Sequence, residues 1–192
     1  MIGLFPQKKR LKTIGIDIDG TIANVFEEWA KFYSLKYNKQ VRLNDLNQYK
    51  IEKIFNLTRK DMLDIFTEVW KHPIKIKLVD KNIPKYINGL RKKYFISIVT
   101  ASVGDLKNIK DWLSIKRINY DSFVYEASKK NMHCDILIDD RLNNILKIKE
   151  KDKLGILLHQ RWSPEIYKDV DKISNVVSFT DWKSIYNYLM KL

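Results

Sequence analysis

Cysteine is nearly absent: Cys134 is the only one in 192 residues. No intrachain disulfide can form, which excludes a disulfide-stapled secreted scaffold and fits a reducing cytoplasm. Glycine and proline are scarce, at six and four residues, so collagen-like, linker-like and low-complexity classes drop out. No apolar run approaches the roughly 18 residues of a membrane span. The first twelve residues place apolar side chains before basic ones; a secretory signal has the reverse order, and none is expected. Acidic residues are in deficit, 23 against 36 Lys and Arg, for a formal net charge of +13. Such a balance suits nucleic acid, an anionic membrane or anionic small substrates. The basic residues are spread out, however, in Lys8-Lys9-Arg10, Arg91-Lys92-Lys93, Lys129-Lys130 and a mixed-charge stretch over 147–153. That distribution reads as a solvated surface rather than a dedicated binding stripe.

What remains is a globular composition, 45% hydrophobic and 31% charged, long enough for one core plus a small insert. Short apolar runs at 13–18, 94–100, 122–125, 136–138, 154–159 and 176–179 are nearly continuous rather than alternating, as in strands covered on both faces. Helical patterns separate them, at 80–93, 104–114, 142–149 and 181–192. Strand–helix alternation implies right-handed crossovers and a doubly wound, parallel α/β sheet. One region breaks the rhythm. From 25 to 79 no convincing strand occurs, and helices are expected at 26–37 and 59–71. Thr58 suits the N-cap of the second, with Asp61 three residues on, and His72-Pro73 ends it. The expected division is a Rossmann-like core of residues 1–24 and 80–192, with a helical cap over 25–79.

In such a sheet, ligands bind outside the carboxyl ends of the strands. The first run ends in Asp17-Ile18-Asp19-Gly20-Thr21, the second in Val99-Thr100-Ala101-Ser102, and a later one in Asp139-Asp140-Arg141, with Lys129-Lys130 between the last two. Buried carboxylates are costly unless paired or bound to a metal. Their grouping points to a divalent cation and a phosphate. Each piece has an ordinary reading as well: Asp-x-Asp as a turn, Thr100 and Ser102 as local hydrogen bonders, the lysines as solvated, Asp140 as a helix N-cap. Their order along the chain is the stronger signal. His72, His133 and His159 are scattered, without metal-ligand spacing, and read as structural.

These residues give the chain a resemblance to the haloacid dehalogenase superfamily of phosphohydrolases. Asp17 to Thr21 matches its Asp-x-Asp-x-Thr motif, Thr100 its hydroxyl motif, Lys129 or Lys130 its lysine, and Asp139-Asp140 its acidic pair. Spacing back from Asp139 favours Lys129. The run from Leu137 to Arg141 and the position of the cap are similar to the 5'(3')-deoxyribonucleotidase group. The resemblance implies a Mg²⁺-dependent phosphomonoester hydrolase. Asp17 would be the nucleophile and a metal ligand, forming an aspartyl-phosphate. Asp19 would be general acid and base, with its backbone carbonyl on the metal. Asp139 would be a further ligand, and Asp140 a ligand or its neighbour. Thr100, Ala101, Ser102 and a lysine would bind the phosphoryl oxygens. Thr21 would restrain the site.

Substrate choice would lie in the cap. Phe26, Trp29 and Tyr33 share one helical face, and with Trp70 they are candidates to line the pocket, where an aromatic ring can stack on a nucleobase. The ordinary reading of each is cap core. Arg161 and Trp162, after a strand end, are candidate rim contacts, and Arg141 is either a salt-bridge partner of the acids or solvent-facing. A (deoxy)nucleoside monophosphate is the leading substrate. Sugar phosphates, nucleic-acid ends and a non-catalytic basic binding module are the alternatives. A cytoplasmic location is expected; the sequence does not speak to oligomeric state.

Overall fold

The computed structural model describes residues 11–47, 51–126, 133–148, 153–162, 170 and 172–192; Lys129 and Lys130 lie outside them. Six strands form one sheet: β1 (Thr13–Ile16), β2 (Phe95–Thr100), β3 (Ser122–Tyr125), β4 (Ile136–Asp139), β5 (Leu154–Leu158) and β6 (Val176–Phe179). Their order is β3-β2-β1-β4-β5-β6, every pair parallel. This is the doubly wound α/β architecture the alternating runs imply. The central strands carry buried apolar residues throughout, among them Ile14, Ile16, Ile98, Ile136 and Ile138, because both sheet faces are covered.

The chain winds outward from β1 to β3 and then returns to the other side of β1 as β4. The reversal leaves a crevice at the carboxyl ends of β1 and β4. The register sets Ile16 beside Ile138, so Asp17 and Asp139, the next residue of each strand, reach the crevice together.

Between β1 and β2 run α1 (Val25–Tyr37), a short α2 (Ile51–Ile54), α3 (Arg59–Trp70) and α4 (Ile83–Leu90). Asp61 N–H donates to the Thr58 hydroxyl at the start of α3, as its sequence suggests. The segment from α1 to α3 is held by aromatics. Trp29 stacks on Tyr33 with ring centroids 5.2 Å apart, both approach Phe55, and the Trp29 indole N–H donates to the Met62 carbonyl at 3.3 Å. The two ends of this segment are laced together: Asn24 N–H donates to the Lys77 carbonyl and Val79 N–H to that of Ile22.

Several elements are shorter than the sequence pattern suggests. Strand β1 stops at Ile16 because the Ile18 carbonyl accepts from the N–H groups of Thr21, Ile22 and Ala23, turning the chain out of the sheet. Helix α4 begins only at Ile83, with Pro84 in its first turn, where a missing N–H costs nothing. After β4, α6 spans only Leu142–Ile145 and tightens to a 3₁₀ turn over Leu146–Ile148. Helices α5 (Leu106–Ile115) and α7 (Trp182–Lys191) complete the fold. Among the described residues no helix is long and apolar enough to cross a membrane.

Ile98 is fully buried in β2, whereas Leu35 on α1 is 81% exposed. Ile98→Ala is therefore expected to cost about 2–5 kcal/mol and Leu35→Ala less than about 0.5 kcal/mol, as read from urea unfolding midpoints. Equal losses would mean that the sheet interior is not the core.

Candidate active site

The crevice holds Asp17, Asp139 and Asp140, each at most 6% exposed. One carboxylate oxygen from each lies within 4.8 Å of the other two. Asp17 N–H donates to the Ile138 carbonyl at 3.0 Å, extending the β1–β4 pairing by one residue and fixing the nearness of the first two acids.

Several neutral donors hold these acids. Asp139 accepts from Arg141 N–H at 2.7 Å and from the Asn144 side-chain amide at 3.0 Å. Asp140 accepts from the Trp162 indole at 2.8 Å. The Thr21 hydroxyl accepts from Asp140 N–H at 3.1 Å, and its one hydrogen can go to Asp17 at 3.2 Å or to Asp140 at 3.5 Å. The Thr21 carbonyl in turn accepts from the Trp182 indole at 2.8 Å. Thr21 thus couples the strand-end acids through its hydroxyl. Asp140 does not cap α6: Arg141 is the N-cap residue, and it is the Asp139 side chain that takes the Arg141 N–H.

Gly20 makes the turn possible. Its φ is +85°, and a Cβ there would lie 2.5 Å from an Asp140 carboxylate oxygen and 3.0 Å from the Trp162 ring. Only glycine adopts this conformation at little cost. The Gly20 carbonyl accepts from the Gln160 amide at 2.8 Å. The turn sends the two motif carboxylates apart. Asp17 faces the acidic cluster, while Asp19, partly exposed, accepts from the Trp70 indole at 3.2 Å.

At the end of β2, Thr100 and Ser102 are buried and Ala101 is exposed. The Thr100 hydroxyl accepts from Ser102 N–H at 3.0 Å, which leaves its own hydrogen to donate elsewhere. The thiol of Cys134, at the opposite end of the sheet before β4, is no rival nucleophile. Burial pushes it up to about 11, so it stays protonated at neutral pH.

The aromatics of the helical segment separate into two groups. Trp29 and Tyr33 are buried among Phe55, Phe66 and Tyr37 and offer no surface to the crevice. Their part of that helical face is the interior of the helical segment. Phe26 and Trp70 reach the site through buried contacts: Trp70 touches Asp19, and Phe26 packs on Trp162 with centroids 4.2 Å apart. Trp162 is itself buried and bound to Asp140, so it is part of the site's frame rather than its rim. Arg161 is exposed and its guanidinium donates to the Asn44 side chain, between α1 and α2. Arg141 is exposed. His72 lies 3.5 Å from Glu68 and stacks on Phe32, away from the acids. Asn144 and Trp182 drew no attention in the sequence, since a lone amide or indole far along the chain carries no spacing signal.

An all-oxygen set of buried carboxylates suits a hard divalent cation of the Mg²⁺ type better than a thiophilic metal. A bound cation would offset the repulsion among three carboxylates so close and so buried.

The family described as 5' nucleotidase, deoxy (pyrimidine), cytosolic type C protein (NT5C) matches residues 11–189. A Bacillus subtilis protein, YqfW, provisionally named a nucleotidase, is 23% identical over 176 residues, covering 88% of this chain and 89% of its own. A 5'(3')-deoxyribonucleotidase of Clostridium acetobutylicum is 24% identical over 144 residues, covering 71% and 77%. A haloacid dehalogenase-like hydrolase from Streptococcus pneumoniae shares the fold with a TM-score of 0.66 at 13% identity, covering 93% of this chain and 98% of that one. YfnB of Bacillus subtilis, assigned provisionally to the same hydrolases and solved with bound magnesium, gives 0.57 at 13% identity, covering 94% and 99%. With the parallel sheet, the acidic crevice and a match over residues 11–189, the chain belongs to the NT5C family of nucleotidases, phosphohydrolases of the haloacid dehalogenase superfamily.

Proposed function

We propose that this phosphohydrolase removes phosphate from (deoxy)nucleoside monophosphates through an aspartyl-phosphate on Asp17, with Mg²⁺ as its cofactor. The observation that carries the proposal is the separation of Asp17 from Asp19. One carboxylate lies in the buried acidic cluster and the other is held by a neutral indole. Nucleophile and proton carrier need such different surroundings.

Asp17 attacks phosphorus; as the Asp17–phosphorus bond forms, the ester phosphorus–oxygen bond breaks, and Asp19 gives its proton to the leaving oxygen. Water then attacks phosphorus, yields a proton to Asp19, and frees Asp17 and inorganic phosphate. Thr100, Ser102, backbone N–H groups around Ala101 and a lysine, Lys129 or Lys130, hold the phosphoryl oxygens. Asp17, Asp139, Asp140 and the Asp19 carbonyl are the groups that would hold Mg²⁺. When bound, the ion offsets the repulsion between the Asp17 carboxylate and the anionic substrate.

A nucleotide substrate is supported by the family match and by the two curated relatives. The division into a core of 1–24 and 80–192 and a cap of 25–79 belongs to the same reading, as does a cytoplasmic location, with which the lone cysteine is compatible. Contacts from the helical segment to both Asp19 and Trp162 favour a small substrate over a polymer end, which would need an open exit.

A phosphate-release screen over nucleoside and deoxynucleoside monophosphates, sugar phosphates and 3'-phosphorylated oligonucleotides is expected to give its fastest release from the mononucleotides, and none after chelation of Mg²⁺. Faster release from sugar phosphates or oligonucleotide ends would overturn the substrate; persistence in chelator would overturn the cofactor. Asp17→Asn should lower turnover by several orders of magnitude. Trp162→Phe removes the N–H that fixes Asp140, and calorimetric titration should show Mg²⁺ affinity weakened by about 10-fold or more. Unchanged affinity would mean that Asp140 does not depend on that indole.

A further inference from the structure

Trp70 closes α3, 51 residues after Asp19, and is fully buried. Its indole N–H donates to an Asp19 carboxylate oxygen at 3.2 Å. The adjoining atoms of the same side chain, Cβ, Cγ and Cδ1, lie against the loop that follows β2. A Cβ on Gly104 would sit 2.4 Å from Trp70 Cγ and 2.6 Å from Trp70 Cβ, so the loop comes this close only because residue 104 has no side chain. Gly104 belongs to the turn that presents Thr100 and Ser102, and its N–H donates to the Ser102 hydroxyl at 3.4 Å. The ring is braced edge-on by Trp112, at 5.9 Å and 89°, which is itself anchored by its indole N–H to the Ile76 carbonyl at 3.0 Å. One rigid bicyclic side chain therefore spans the gap between Asp19 and the turn carrying Thr100.

We propose that Trp70 is a positioning residue that holds the Asp19 carboxyl at a fixed offset from the phosphoryl-binding turn, aimed at the leaving oxygen. The inference rests on the aspartyl-phosphate reading above. In that reaction Asp19 delivers its proton to the bridging oxygen as the ester bond breaks, and a proton transferred along a misdirected hydrogen bond is lost to catalysis. The indole suits the task. It donates one hydrogen bond, carries no charge that would bind the phosphate itself, and has only two torsions to fix. Because α3 belongs to the helical segment, the same contact makes the proton carrier's aim depend on how that segment is packed.

The test uses the full chain with Mg²⁺ and compares kcat/KM for two esters, since this ratio ends at the departure of the leaving group. A nucleoside monophosphate releases an alkoxide, which needs the proton; p-nitrophenyl phosphate releases a stable phenolate, which needs it far less. Trp70→Phe keeps the packing and removes the N–H. It should lower kcat/KM for the nucleotide on the order of 10–100-fold, with a loss about tenfold smaller for p-nitrophenyl phosphate. In an Asp19→Asn background Trp70→Phe should have no further effect on the nucleotide. Melting temperature and Mg²⁺ affinity identify a folded variant. Should Trp70→Phe not fold, Trp70→Leu, which also removes the N–H and leaves the phosphoryl-binding turn unchanged in sequence, carries the same expectation. Equal losses for both esters, or losses that multiply with Asp19→Asn, would reduce Trp70 to a packing residue and overturn the proposal. Wild-type protein inactive on both esters with Mg²⁺ would instead overturn the hydrolase reading, and the role of Trp70 with it.

Discussion

Three carboxylates forced together at the carboxyl ends of β1 and β4 are the constraint on which the site depends. At 4.8 Å, a pair of like charges repels by about 3–4 kcal/mol at an effective dielectric of about 20. Several of the groups that hold the acids are neutral: a backbone N–H and an amide on Asp139, an indole on Asp140 and a hydroxyl at Asp17. Neutral donors orient an acid without discharging it.

Tryptophan supplies much of this neutral frame. Trp70, Trp162 and Trp182 come from three distant parts of the chain and aim their N–H groups at Asp19, Asp140 and the Thr21 carbonyl. Each combines a large apolar body, which excludes water, with a single directed donor. Two of them also link the site to the helical segment, Trp70 by belonging to α3 and Trp162 through Phe26 on α1. The two ends of that segment are tied together by an isolated antiparallel bridge between Ala23 and Leu78.

Much of this was legible in the sequence. Continuous apolar runs gave all six strands because parallel strands are covered on both faces, and the order of acids and hydroxyls along the chain located the crevice before any strand was paired. The ends of elements were less legible. Strand β1 loses two residues to the turn that Gly20 permits, and α4 starts late at its proline, since local hydrogen bonding competes with periodicity at such points. The roles of aromatics were the least legible. Phe26, Trp29 and Tyr33 share a helical face, yet Trp29 and Tyr33 point into the interior of the helical segment while Phe26 packs against Trp162. Periodicity tells which residues share a face, not what that face meets. Asn144 and Trp182 act through contacts spanning 5 and 161 residues with no pattern to announce them.

The central claim is that Asp17, and not another acid of the cluster, carries the phosphoryl group in turn. The most direct measurement is mass spectrometry of protein quenched in acid during turnover of a mononucleotide with Mg²⁺, followed by peptide mapping. The account predicts one added phosphoryl group on the peptide containing Asp17, labile at alkaline pH and missing from Asp17→Asn. A phosphoryl group on a peptide that lacks Asp17, or turnover with no phosphorylated peptide under conditions that trap acyl phosphates, would contradict it.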